Sequence, residues 1–250
     1  MTTPSAPGLD YSTAGVPVRD DLRETHAAML EYLRQPGSWF TGDERLALAA
    51  ESRNALACPL CRQRKTSLSP EQPAGEHARV SDLPEALVEI AHRIRLDPQR
   101  LSREWFDRVR GAGLEEGPYV ELVGVVTFTA GIDHFCRALG IPVFTLPEPA
   151  PGAPSHYRPE HTRGGTAWVS MLAPEDATGP EANLYDGEFV PNIARALSLV
   201  PDHVRLLQHE SASHYVAMDA IQDPSVRRDL DRLQIELVAA RVSAMNECFY

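Results

Sequence analysis

Hydrophobic spacing constrains this chain more than any other feature. Apolar residues recur every three or four positions almost wherever a period can be read, and proline and glycine cut the pattern into helix-length pieces. Runs of alternating β-branched residues bounded by turns are scarce, so the expected class is all-α. Helices are expected over Asp21 to Leu33, from a Thr41 or Asp43 cap through to Cys58, and over Pro84 to Arg95 behind Ser81 and Asp82. Others fit Pro98 to Val109, Tyr119 to Leu139, Asn192 to Leu199, Asp202 to Ala220 and Leu230 to Glu247. Val125 to Phe128 has local strand character, but the length of the surrounding apolar stretch favours helix. Six prolines between Pro142 and Pro159, with no hydrophobic period, read as an extended connector between two halves.

Charge narrows the partners. With 24 basic and 35 acidic residues the chain carries a net charge of −11, which argues against gripping nucleic acid or anionic lipid. Only one of the basic residues is a lysine, Lys65. No stretch approaches the ~20 apolar residues of a membrane helix. Met1 to Asp10 has neither a basic start nor an apolar run, so a cytoplasmic setting is expected. There the four cysteines are expected to be thiols rather than structural disulfides.

Two of those thiols carry the strongest local signal. Cys58-Pro59-Leu60-Cys61 is followed by Arg62, Arg64 and Lys65, and Pro59 suits the first turn of a helix. Thiols one turn apart can close into a disulfide, while nearby cations and a helix N-terminus favour the thiolate that attacks a peroxide or disulfide. Two other readings stand beside this one. Half a zinc site would need a second pair, and the sequence offers His134-x-Cys136 for it. Alternatively, both cysteines are buried packing residues.

Three stretches, ALACPLCRQRKTSLSP, YVELVGVVTFTAGIDHFCRALGIP and IELVAARVSAMNECFY, resemble the alkylhydroperoxidase AhpD-like and carboxymuconolactone decarboxylase superfamily in its two-repeat form. The resemblance implies a lead over 1–20 and a first helical repeat with the CxxC motif over 21–145. A Pro-rich connector over 146–182 and a second repeat over 183–250 would follow. Family members run Glu, eleven residues, Cys, two residues, Cys, three residues, His. In the second copy Glu236 and Cys248 match the first two positions, and the sequence stops at Tyr250, so that copy is expected to be incomplete. In the first copy Cys58 and Cys61 match both thiols, but Leu46 stands at the Glu position and Lys65 at the His position. By resemblance Cys61 attacks peroxide and Cys58 closes the disulfide, with no cofactor and no resident metal.

The proton relay must then come from elsewhere. Glu44 and Glu51 precede Cys58 by fourteen and seven residues, near-whole helical turns, though such carboxylates are commonly solvated. Glu89 and His92 share a helical face and could supply a base or metal ligand, or be a surface pair. His134, beside Asp133 on an apolar helix, ranks just above His92 as the missing base, and Glu121 lies early in the same helix. Gly111-x-Gly113 lacks dinucleotide-loop spacing, and His209 and His214 are one residue too far apart for a zincin.

The leading expectation is a cofactor-free thiol oxidoreductase that reduces a hydroperoxide, an antioxidant activity recycled by an external dithiol. A decarboxylase-like lyase or isomerase acting on a small organic acid and a non-catalytic assembly member are the alternatives. Unfinished helical repeats leave apolar faces to cover, so a homo-oligomer is expected.

Overall fold

The computed structural model describes residues 9–187 and 189–248; of the expected lead, residues 1–8 lie outside them. The described residues form α-helices and short 3-10 turns, with two isolated bridges and no strand. In chain order the helices are α1 Asp20–Arg34, α2 Gly42–Asn54, α3 Pro59–Thr66, α4 Glu85–Leu96, α5 Arg103–Gly111, α6 Glu116–Ala138, α7 Asn192–Arg195, α8 Pro201–His214 and α9 Arg232–Met245. The all-α class is therefore correct, and none of these helices is long and apolar enough to cross a membrane.

Helix α6 is the central member and packs against α2, α4 and α1, while α8 packs on α1. Leu122, Val125, Val126, Phe128 and Ile132 of α6 are almost completely buried, which helix explains better than strand, because their spacing is helical. Gly124 sits where α8 crosses: a Cβ there would fall 2.2 Å from the His203 ring, so the close approach requires glycine.

Several boundaries differ from expectation, each for a local reason. The second helix stops at Asn54 instead of running into Cys58. Residues 55–57 form a turn, which makes Cys58 the N-cap of α3 with Pro59 at its first position. Thr41 caps α2 in a reciprocal box with Glu44, whose carboxylate is thereby committed far from chemistry. Ser81 does not cap α4; its hydroxyl goes to Glu51, and Pro84 takes the N-cap position. The Pro98 to Val109 segment splits into a 3-10 turn and α5, which Ser102 caps. Helix α7 is a single turn, and α8 ends at His214 before a separate 3-10 turn at Met218–Ala220.

The described part of the lead is not detached. Tyr11 and Val18 are buried, and Tyr11 is 2.7 Å from His26 Nδ1. Nor does the connector separate two cores. Ala150 N–H donates to Arg34 C=O and Ser155 N–H to Gly37 C=O, so the proline-rich segment is strapped across the α1–α2 turn. Beyond it, Leu199, Val200 and Leu206 enter the same apolar cluster as Met29, Leu48 and Phe128. A smaller cluster gathers Leu172, Leu184, Ala194 and Val204.

Candidate thiol and imidazole site

A separate small cluster at one edge of the α2–α4 pair holds the two motif cysteines. Because α2 ends early, the 55–57 turn swings Cys58 to the start of α3, and one turn later Cys61 lies beside it. Both are free thiols and both are buried, Cys58 at 0 % and Cys61 at 4 % exposure. From α4, the His92 Nδ1 lies 3.2 Å from Cys61 Sγ. From the loop between α3 and α4, the His77 Nδ1 lies 3.4 Å from Cys61 Sγ and 3.6 Å from Cys58 Sγ. Asn54 holds that loop by donating to the Ala78 carbonyl.

Each imidazole is oriented by a carboxylate on its far nitrogen. His92 Nε2 is 3.0 Å from Glu51 Oε2, and both side chains are fully buried. Glu51 Oε1 accepts from Val80 N–H at 2.9 Å, Ser81 N–H at 2.8 Å and the Ser81 hydroxyl at 2.6 Å. His77 Nε2 is 2.6 Å from Glu89 Oε2, which also accepts from Arg64 at 2.6 Å. With Nε2–H donated to the carboxylate, each neutral ring presents its Nδ1 lone pair to sulfur.

Electrostatics follow from these contacts. Burial opposes ionisation of Cys58, but the Cys61 N–H at the helix N-terminus, His77 and the Ala78 N–H outweigh it and bring its pKa to about 6. Burial, together with the hydrogen bond to Cys58 and the Cys58 charge, pushes Cys61 up. The first negative charge of the pair therefore rests on Cys58. Burial also disfavours the Glu89 carboxylate, yet His77 and Arg64 hold it down to about 2. Glu51 is lowered too, because Ser81, His92 and Val80 overcome its desolvation.

The expected residues divide sharply. Cys58, Cys61, Glu51 and His92 meet, and Glu51 is a buried relay group where a solvated carboxylate was the commoner reading. Glu89 shares a helix with His92 but serves His77. His134 does not reach the thiols: its ring is exposed with Arg95 Nη1 3.5 Å from its Nε2, and partial desolvation together with Arg95 and Arg137 lowers its pKa. Cys136 belongs to the main core. Lys65 turns away to Asp97 at 3.4 Å. Glu121 is buried against Arg45 at 3.4 Å and accepts from Trp39 N–H. Glu236 pairs with Arg232 and Tyr215, and Cys248 is an exposed free thiol after α9.

His77 had no sequence signal of its own. It stands in an aperiodic Pro and Gly loop, and only its position between CxxC and Glu89-x-x-His92 could have suggested it. A cleft of about 480 Å³ adjoins the site, lined by Arg64, Glu71, Glu89, Arg93 and Trp105 among others, so the outer carboxylate edge faces open space. No protein-family model matches the sequence, and no curated protein or solved structure matches it significantly.

Proposed function

We propose that the protein is a thiol oxidoreductase that reduces hydroperoxides through Cys58 and Cys61. The observation that carries this reading is the continuous line Glu51, His92, Cys61, with steps of 3.0 and 3.2 Å. It supplies in space the Glu and His that the sequence lacks at the positions of the resembled family.

His92 Nδ1 takes the Cys61 proton while Glu51 stabilises the imidazolium that forms. The Cys61 thiolate attacks one peroxide oxygen, the O–O bond breaks, and the departing alkoxide takes the proton from His92. Cys61 is left as sulfenic acid. Cys58, the more acidic thiol of the pair, has its proton on His77 and then attacks the Cys61 sulfur. Hydroxide leaves and takes that proton to become water. In sum two thiols and one hydroperoxide give one disulfide, one alcohol and one water, and an external dithiol restores the pair.

The two-repeat organisation belongs to the same proposal. It is supported by Glu236 within α9 and Cys248 just beyond it, with eleven residues between them in the family's register. A homo-oligomer is supported by the exposed Leu233, Leu237, Val238 and Val242 of that helix.

Mass spectrometry of differentially alkylated thiols, before and after one equivalent of hydroperoxide, tests the reading. Formation of a Cys58–Cys61 disulfide, abolished in Cys61→Ser together with peroxide consumption, is the expected result. Full peroxide turnover by Cys61→Ser would overturn it.

A further inference from the structure

Cys58, Cys61, His77 and His92 have a second property that peroxide chemistry does not need. One ligand atom from each of the four lies within 4.8 Å of every other. Three of the four sulfur-to-nitrogen separations, 3.2, 3.4 and 3.6 Å, have the length of edges of a compact tetrahedron. Bonds of about 2.3 Å to sulfur and about 2.0–2.1 Å to nitrogen at tetrahedral angles give a sulfur-to-nitrogen edge of about 3.5 Å.

The orientation of the rings makes the same point independently. His77 Nδ1 does not side with one thiol but lies 3.4 and 3.6 Å from both, and His92 Nδ1 converges on the same pair. Each ring has its Nε2 fixed on a carboxylate that is itself held, Glu51 by the 80–81 backbone and Glu89 by Arg64. This is the outer-shell pattern that fixes the tautomer of metal-bound histidine. Two thiolates and a dication sum to zero charge, which suits a fully buried position. Soft sulfur with two imidazoles selects the zinc class over magnesium or calcium, and four protein ligands leave no open coordination position.

We propose that Cys58, Cys61, His77 and His92 form a closed tetrahedral zinc site in the reduced protein. Occupancy ties up both thiols, so metal and peroxide compete for one pair of sulfurs. On oxidation the two bound thiolates, one hydroperoxide and two protons from solvent give a disulfide, an alcohol, water and the released dication. This second half rests on the thiol oxidoreductase reading; the metal site itself does not.

Reduced, metal-free protein of residues 1–250 carrying Cys248→Ser, which removes the exposed thiol, is titrated with Co²⁺ and then Zn²⁺. One equivalent of Co²⁺ is expected to give the intense visible bands of tetrahedral coordination with sulfur-to-metal charge transfer, and Zn²⁺ to abolish them. Zn²⁺ is expected to protect Cys58 and Cys61 from alkylation. Glu89→Gln, which keeps all four donors, should weaken binding by roughly 10–100-fold. Weak octahedral bands, or equal alkylation with and without Zn²⁺, would overturn the site. Adding hydroperoxide to the zinc form separates the two readings. Disulfide formation with release of one zinc supports both. Tetrahedral binding without disulfide formation leaves the metal site standing and removes the peroxidase. Disulfide formation in a protein that binds no metal does the reverse.

Discussion

Glu51→Gln isolates the relay from the fold because the two carboxylate oxygens have separate jobs. Oε1 accepts from Val80 N–H, Ser81 N–H and the Ser81 hydroxyl, whereas Oε2 faces only His92 Nε2. A glutamine carbonyl must take the Oε1 position, since the reverse would leave three donors unpaired at roughly 1–3 kcal/mol each. Its amide then points N–H at His92 Nε2, which becomes an acceptor. The ring proton moves to Nδ1 and faces Cys61, so the base is lost while every donor near residue 80 remains satisfied. Loss of a positioned general base slows a reaction by roughly 10²–10⁴, or about 3–5 kcal/mol of barrier. Stability should fall by only about 1 kcal/mol, as charge-assisted bonds become neutral, a shift of roughly 2–4 °C in Tm. Stopped-flow loss of the Cys61 thiol with hydroperoxide, in chelator at neutral pH, reads the first number and calorimetry the second. A rate within threefold of the parent protein, with Tm unchanged, would refute the relay.

Four further outcomes are expected. Lys65→Ala should leave the oxidation rate within about twofold, since its amine is bound to Asp97, and a larger loss would restore it to the site. Glu121→Leu strands the buried Arg45 guanidinium, which costs about 3–5 kcal/mol, so calorimetry should show Tm lower by roughly 6–20 °C, and Arg45→Met combined with Glu121→Leu should recover most of it. Burial pushes the Glu210 pKa from 4.5 to about 7, so the folded state holds that proton more tightly and stability declines as pH rises from about 4.5 to about 7. Glu210→Gln should therefore match the parent near pH 4.5 and exceed it by up to about 3 kcal/mol at pH 8 in urea titrations; equal curves at both values would sink the assignment. Light scattering should give at least a dimer, and Leu237→Glu should reduce its mass, because Leu237 is 71 % exposed on an otherwise apolar stripe.

What could be read from the sequence follows from what helices reveal. Periodicity located most of the helices and residue spacing the CxxC motif, but the seven-residue offset that named Glu51 assumed a helix through to Cys58, whereas α2 stops at Asn54 and Glu51 joins the site through His92. Periodicity says nothing about which helix lies opposite, so His134 outranked His92 on the strength of its neighbours Asp133 and Cys136. On α6 successive side chains are ~100° apart. Asp133 turns inward to Arg53 at 2.8 Å and Cys136 enters the core, which leaves His134 outside. His77 was unreadable for the opposite reason: its loop has no period, and its place is set by tertiary bonds from Glu89 and Asn54.

The burial of the thiol pair restricts what states it can hold. Two thiolates side by side, with Glu51 and Glu89 behind the imidazoles, would concentrate negative charge where water cannot screen it. Three arrangements remove that charge: two protons, one dication, or one sulfur–sulfur bond. Each satisfies both sulfurs at once and excludes the other two. The carboxylates serve all three, because fixing Nδ1 toward sulfur supplies a proton acceptor when the site is metal-free and a ligand when it is filled. Proton, metal and electron affinities at this site are therefore linked, and a substitution that alters one, such as Glu89→Gln, must alter the others.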